Sequence, residues 1–139
     1  MNLFIDTNVV MDVVAHRPQF YDASAAILTL LEKDKAEGFL SAISFNNIHY
    51  ILRKQGGKTR ADNAVRTLLS TFSIVSLDEK IITRAIDADF NDFEDGIQFF
   101  SAMRCNANYI ISRNVRDFPH DDIPVLTPEE FLRLNLDFS

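Results

Sequence analysis

Three aspartates, Asp6, Asp95 and Asp117, are the residues whose type and position could support catalysis. Each lies beside an apolar segment, although together they span most of the chain. Mg²⁺ and Mn²⁺ are hard cations that bind a few carboxylate oxygens together with water. Carboxylates that pack together without a cation repel one another, so a cluster of them would be unfavourable unless it held such an ion. The spacing alone is a weak signal, because any acidic domain carries Asp in its loops.

Each of these aspartates also has a structural interpretation. Asp6 precedes a helix-forming segment and could be its N-cap, which position alone favours as much as a functional role. Asp95 falls in the first turn of a later predicted helix, where the helix dipole favours acids and Asp92 is the expected N-cap. Asp117 precedes a Phe-Pro pair and could form a turn. Asp12, at the end of the first helix, is expected to face solvent.

Other catalytic constellations are missing from the sequence. His16, His49 and His120 share no zinc-ligand spacing and have no Cys partners. The single cysteine, Cys105, excludes an internal disulfide and suits a reducing cytosol. The glycine patterns of dinucleotide-binding and P-loop proteins are absent, as is the Gly-x-Ser-x-Gly elbow of serine hydrolases.

Short apolar segments alternate with longer segments of helical periodicity along the chain. The expected strands cover residues 3–5, 39–43, 73–77, 109–112 and 123–127. The expected helices after the first cover residues 21–35, 44–54, 59–72, 78–90, 93–104 and 128–134, with Ser44 and Asp78 as possible N-caps. Strands that are apolar throughout indicate a parallel sheet covered on both faces. Ligands bind such sheets beyond the carboxyl ends of the strands, where Asp6, Asn47 and residues 112–117 follow.

Length, composition and charge narrow the class further. The 139 residues, 47% of them hydrophobic, are expected to form one globular domain over residues 1–139. No apolar run is long enough to span a membrane and no signal peptide is visible, so we expect a cytoplasmic protein. The net charge of −6 argues against a general nucleic-acid coating protein. Residues 53–66, with five bases and one acid, nevertheless form a local basic segment, whereas residues 87–95 hold five acids.

Five segments together resemble the PIN-domain family, the metal-dependent ribonuclease fold of VapC-type toxins. They are "FIDTNVVMD" (4–12), "SAISFNNIHYILRK" (41–54), "DFEDGIQFFSA" (92–102), "YIISRNVRDF" (109–118) and "IPVLTPEEFL" (123–132). The resemblance extends over essentially the whole chain. It implies a three-layer α/β/α sandwich with a central parallel β-sheet. It also implies an acidic pocket that binds Mg²⁺ or Mn²⁺ and cleavage of RNA phosphodiesters by metal-activated water.

The resemblance assigns roles to residues of this chain. Asp6, Asp95 and Asp117 would be the catalytic and metal-binding acids. Around them it places supporting polar residues: Asn8, Asn47, Ser112 and Asn114. The basic residues that could hold the RNA backbone, on the helix after the second segment, are Arg53, Lys54, Lys58 and Arg60. We expect the three carboxylates to lie at the carboxyl edge of the sheet, with Asn47 and Ser112 at the rim.

The chain departs from the family at Asn47, where active members normally carry Glu. An amide brings no charge, so the loss should cost about 1–3 kcal/mol of metal affinity in a partly solvated pocket. Asn47→Glu should then tighten metal binding, whereas Asn46→Glu should not. The alternative is a PIN-fold module that binds RNA or protein and has lost its catalytic activity.

Two other classes of protein place an Asp after the first strand of a similar sheet. A phosphatase of the haloacid-dehalogenase type needs a second Asp two residues later, and this chain has Asn8 there. A receiver-like signalling domain needs an Asp after a central strand and a Lys after a late one, and the corresponding segments supply neither. Both are therefore disfavoured.

The family resemblance also implies partners. VapC-type toxins pair with a cognate antitoxin and usually form homodimers. The helix that follows the second strand has more apolar residues than one face needs, and we expect some of them to form a dimer surface: Phe45, Ile48, Ile51 and Leu52.

Overall fold

A parallel sheet forms the centre of the protein in the computed structural model, which describes residues 1–119 and 122–138. His120 therefore lies outside the described residues. The strands are β1 (Asn2–Ile5), β2 (Glu37–Ser41), β3 (Phe72–Val75), β4 (Tyr109–Ile111) and β5 (Val125–Leu126). Every neighbouring pair in the order β3-β2-β1-β4-β5 is parallel, which confirms the predicted sheet.

Helices connect the strands and cover both faces of the sheet. They are α1 (Thr7–Val14), α2 (Tyr21–Glu32), α3 (Ala42–Gly56), α4 (Lys58–Thr71), α5 (Glu79–Asp87), α6 (Phe93–Arg104) and α7 (Pro128–Arg133). A short 3₁₀ helix, Val115–Asp117, follows β4. The side chains of β1 alternate between two hydrophobic clusters: Leu3 and Ile5 pack on one face, and Phe4 packs on the other. The predicted three-layer α/β/α architecture is therefore confirmed.

The central position of β1 determines where a ligand can bind. From β1 the chain crosses to β2 on one side and later returns to β4 on the other. Strand order thus reverses between β1 and β4, and this reversal opens a crevice beyond the carboxyl ends of the two strands. The crevice lies immediately after Ile5 and Ile111, where the sequence places its polar residues.

Local capping determines where most helices begin. Asp92 caps α6 by accepting a hydrogen bond from the Glu94 amide (2.8 Å), and Asp78 caps α5 through the Ile81 amide (3.1 Å), both as predicted. The prediction for α3 was wrong by one turn. Its N-cap is Ser41, whose hydroxyl accepts from the Ile43 amide, so Ser44 lies inside the helix.

The apolar surface predicted for dimerisation is mostly core. Phe45, Ile48 and Leu52 are buried because α4 packs against α3 and the sheet lies beneath them. Ile51 is half-buried. The argument for a dimer from these side chains is therefore wrong, although it does not bear on association through other surfaces. Among the described residues, no helix is long and apolar enough to cross a membrane.

Candidate functional site

A cavity of about 520 Å³ opens at the crevice between β1 and β4. Its lining combines carboxylates, amides, one guanidinium and a few apolar groups. The lining residues are Asp6, Thr7, Asn8, Met11, Arg17, Asn47, Tyr50, Ile51, Glu94, Asp95 and Asn114. Five of the residues predicted from the sequence are thus brought together: Asp6, Asn8, Asn47, Asp95 and Asn114.

Asp6 stands at the end of β1 with only 6% of its surface exposed. It occupies the N-cap position of α1, yet its side chain makes no capping hydrogen bond. Its Oδ2 instead accepts hydrogen bonds from the Ser112 hydroxyl (2.7 Å) and from the side-chain Nδ2 of Asn8 (3.3 Å). Burial raises its pKa above the ordinary value, and the Ser112 hydrogen bond opposes that rise. The side chain is therefore committed to the cavity and does not serve the helix.

Ser112 is fully buried behind Asp6, and the expectation that it lies at the rim was wrong. Its hydroxyl donates a hydrogen bond to Asp6 and accepts one from the backbone N–H of Asn114 at 3.0 Å. The next residue, Arg113, donates its backbone N–H to Asn8 Oδ1 at 3.4 Å. The segment after β4 is thus joined directly to the segment after β1, which fixes the orientation of the Asp6 carboxylate.

Asp95 faces the same cavity from the first turn of α6. Its pKa is raised to about 7, first by desolvation and then by the neighbouring charges of Asp92, Asp6, Asp117 and Glu94. Part of this shift therefore reflects repulsion among the negative charges around the cavity. A divalent cation would relieve this repulsion.

Asp117 lies at the edge of this arrangement. It is exposed at the end of the 3₁₀ helix and does not line the cavity. Its charge nevertheless raises the pKa of both Asp6 and Asp95. The structure therefore places Asp117 within electrostatic reach of the other two acids but outside the cavity wall.

Glu94 is a carboxylate of the cavity that the sequence interpretation missed. It is half-buried, lines the cavity beside Asp95, and accepts a hydrogen bond on Oε1 from Asn47 Nδ2 at 2.9 Å. The "DFED" segment carried the signal, but consecutive acids in a helix do not reveal which of them faces a ligand. Asn47 itself faces the cavity as predicted, whereas Asn46 is exposed.

Asp12, expected to face solvent, is completely buried. Its carboxylate binds Arg17 (Nη1 to Oδ1, 3.2 Å) and Arg113 (Nε to Oδ2, 2.7 Å). The Arg113 guanidinium also lies 4.2 Å above the centre of the Phe20 ring. Asp12 therefore ties α1 to the segment after β4, while Arg17 reaches the cavity wall.

The four predicted RNA-binding residues are all exposed, but they occupy two helices and not one. Arg53 and Lys54 end α3, and Lys58 and Arg60 begin α4. The turn between them depends on Gly57, whose φ of 87° is unfavourable for other residues.

The basic turn has its own contacts, and one of them reaches the cavity. Lys58 pairs with Asp62 at 2.6 Å. The ammonium of Lys54 lies 4.8 Å from the centre of the Tyr50 ring, and Tyr50 lines the cavity. Of the four basic residues, Lys54 is therefore the one that the structure places beside the cavity wall.

The donor set fits a hard divalent cation held partly through water. In residues 1–119 and 122–138, no three His, Cys, Asp or Glu side chains are close enough to form a complete cage. Mg²⁺ does not require one, because it retains several waters and binds through one or two carboxylates. Asp6, Asp95 and Glu94 line one cavity and can provide one or two such oxygens, and the charge repulsion that contributes to the raised pKa of Asp6 and of Asp95 favours a cation there.

Comparison with known proteins agrees with this architecture. Residues 2–116 match the family described as PIN domain. The chain is 28% identical over 134 residues to Ribonuclease VapC1 of Aquifex aeolicus, covering 93% of this chain and 92% of that protein.

Two solved structures share the fold at low sequence identity. The crystal structure of VapBC2 from Rickettsia felis, bound to a DNA fragment from its promoter, includes a chain with 18% identity and a TM-score of 0.68, covering 90% of this chain and 97% of that one. A VapBC-1 structure from nontypeable Haemophilus influenzae gives 16% identity and a TM-score of 0.68, covering 93% and 99%.

Proposed function

Because the chain belongs to the PIN-domain family, we propose that it is a metal-dependent endoribonuclease, the toxin of a toxin–antitoxin pair. The observation that carries the proposal is the cavity where the strand order reverses, which is lined by the buried Asp6 and the half-buried Asp95, with the charge of Asp6 contributing to the raised pKa of Asp95. The similarity to Ribonuclease VapC1 supports the same activity. The proposed substrate class is RNA.

The acids of the cavity have distinct roles in this proposal. Asp6, oriented by Ser112 and Asn8, and Asp95 would hold the cation, while the nearby Asp117 adds negative charge. When bound, Mg²⁺ or Mn²⁺ supplies an activated water and neutralises charge on the phosphoryl oxygens.

The exposed turn between α3 and α4 is the proposed RNA-binding surface. Arg53, Lys54, Lys58 and Arg60 supply positive charge for the phosphate backbone. Tyr50, 59% exposed and bordering the cavity, offers a ring on which a base beside the cleaved bond can stack. Lys54 lies over the same ring, so charge and stacking surface are adjacent.

The proposal includes a cognate antitoxin protein, a homodimer and a cytoplasmic location. Antitoxin pairing is supported by the named VapBC and FitAB complexes among the structures with this fold. Apolar side chains outside the core give the dimer or the antitoxin a contact surface; they include Leu69, Ile74, Ile82, Ile86 and Phe93. A free thiol, Cys105, suits the reducing cytoplasm.

The experiment that tests the activity is a cleavage assay on purified protein with labelled RNA. We expect cleavage with Mg²⁺ or Mn²⁺, none with EDTA, and at least a hundredfold loss for Asp6→Asn, since preorganised charge stabilisation contributes about that much. Asp89→Asn is the matched control. Asp89 is exposed with φ of 56°, a conformation that Asn also tolerates, so this variant should cleave normally. Cleavage that persists in EDTA or in Asp6→Asn would refute the proposal.

A second candidate function is a PIN-fold module that binds RNA without cleaving it. The amide at Asn47, where active members of the family carry Glu, is the observation that favours it. The same assay separates the two, because such a module would retain RNA on a filter and leave it intact at every metal concentration.

A further inference from the structure

Glu94 and Asn47 form a pair that bears on the absence of a Glu at position 47, where active members of the family carry one. We propose that Glu94, on α6, supplies a third carboxylate to the metal-binding cavity beside Asp6 and Asp95, and that Asn47 is the residue that positions it. This inference rests on the proposed metal-dependent function. The negative charge that is absent at residue 47 would then be supplied by Glu94.

The geometry is the first argument. Glu94 and Asn47 lie on different helices, α6 and α3, and both face the cavity that contains Asp6 and Asp95. Asn47 Nδ2 donates to Glu94 Oε1 at 2.9 Å. The backbone beneath Glu94 is also fixed, because its amide donates to the Asp92 cap at 2.8 Å. The carboxylate is therefore held from both its backbone and its tip.

The second argument is that the Glu94 carboxylate still has lone pairs available to a cation. A carboxylate offers about four lone-pair sites, and the contact with Asn47 uses one of them. Because Asn47 is neutral, the hydrogen bond orients Glu94 and leaves its charge in place. A Lys or Arg partner would have neutralised that charge. Glu94 thus still contributes a full negative charge, which adds to the rise in the pKa of Asp6 and Asp95.

The third argument concerns what a glutamate at position 47 would do. Its carboxylate could no longer donate a hydrogen bond to Glu94, so the added charge would come with the loss of the contact that positions Glu94. Asn47 and Glu94 are therefore complementary, and Asn47→Glu in the native chain should fail to tighten metal binding. That outcome reverses the expectation from the sequence alone.

The test is a calorimetric titration of Mn²⁺ alone into four proteins: wild type, Glu94→Gln, Asn47→Glu and the double variant Asn47→Glu/Glu94→Gln. Glutamine at position 94 keeps the acceptor oxygen for Asn47 and removes only the charge. If the pair had a structural role alone, Mn²⁺ affinity would therefore not change. We expect Glu94→Gln to weaken Mn²⁺ binding about tenfold, the effect of removing one charge from a partly solvated site. The double variant restores the charge at position 47 and should return to within about threefold of wild type.

Two controls make the result specific. Glu79→Gln removes an exposed acid outside the cavity and should bind Mn²⁺ as wild type does. The Mn²⁺-dependent rise in melting temperature, measured on each variant, verifies folding and gives a second readout of affinity. A double variant that binds no better than Glu94→Gln, or Glu94→Gln with wild-type affinity, would overturn the inference.

The same titrations separate this inference from the proposed function. If Asp6→Asn weakens Mn²⁺ binding and Glu94→Gln does not, the metal site stands and the role of Glu94 falls. If wild-type protein binds no Mn²⁺ at all, both fall together.

Discussion

Replacing Asp12 by Asn should destabilise the protein strongly, although Asp12 does not line the cavity. The wild-type carboxylate has no exposed surface and neutralises two guanidinium groups, those of Arg17 and Arg113. Asparagine keeps the shape and one acceptor oxygen but removes the charge. It also turns an N–H donor group toward one of the two arginines, which has only donors to offer.

The magnitude follows from the burial of each partner. Removing one partner of a fully buried ion pair costs about 3–5 kcal/mol, because a charge is left without compensation. The Arg17 and Arg113 side chains are 39% and 25% exposed, so water can partly replace the lost partner. We therefore expect a loss near the lower end of that range, about 3 kcal/mol of unfolding free energy.

Urea unfolding followed by circular dichroism measures this loss. With an m-value of about 1–3 kcal/mol/M, the midpoint should fall by at least about 1 M urea. The control is Asp89→Asn, which changes an exposed Asp with positive φ to a residue that tolerates the same backbone, and it should shift the midpoint little. A loss below about 1 kcal/mol for Asp12→Asn would refute the reasoning, since surface pairs are worth no more than that.

Three further predictions follow from the cavity. Ser112→Ala removes the hydroxyl that donates to Asp6, so the pKa of Asp6 should rise further and Mn²⁺ affinity at pH 6 should fall severalfold in calorimetry; unchanged affinity would contradict this role. Asp95 has a raised pKa of about 7 in the folded protein, so its favourable contribution is complete below pH 3.8 and is lost as the pH rises through about 7. In EDTA the wild-type melting temperature should therefore fall between pH 5 and 8 more than that of Asp95→Asn, and parallel curves would count against it. Tyr50→Ala should weaken RNA binding by about 1–3 kcal/mol in a filter assay while Tyr50→Phe keeps it, because stacking on the ring supplies the affinity.

The sequence predicts the architecture well because local patterns determine it. Helix α6 begins and ends at the predicted residues, since the Asp92 cap precedes a continuous helical stripe. Apolar segments of three to five residues become strands of one parallel sheet because both faces of the sheet are covered. The bounds shift where the signal is ambiguous, as at α3, where two serines within the same turn could serve as the cap.

The functions of individual acids depend on residues far along the chain. Asp6 is a cavity residue and not a cap because Ser112, 106 positions later, donates to it. Asp12 is buried because Arg113, 101 positions later, pairs with it. Local periodicity contains neither fact, and it could not decide between Glu94 and Asp95. The sequence therefore indicated where the site is, but only the tertiary structure showed which acids line it.

The place of β1 in the sheet has a consequence for protein synthesis. β1 is made first, yet it pairs with β4, and the Asp6 amide donates to the carbonyl of Ile111 at 2.9 Å. A growing chain that does not yet include residues 109–114 lacks one of the two strands that flank β1, the hydroxyl that orients Asp6, and the cavity-lining Asn114. Such sequence-distant pairings form late and slowly. Ribosome-bound and prematurely terminated products that end before residue 109 would therefore carry the first acid without an assembled cavity.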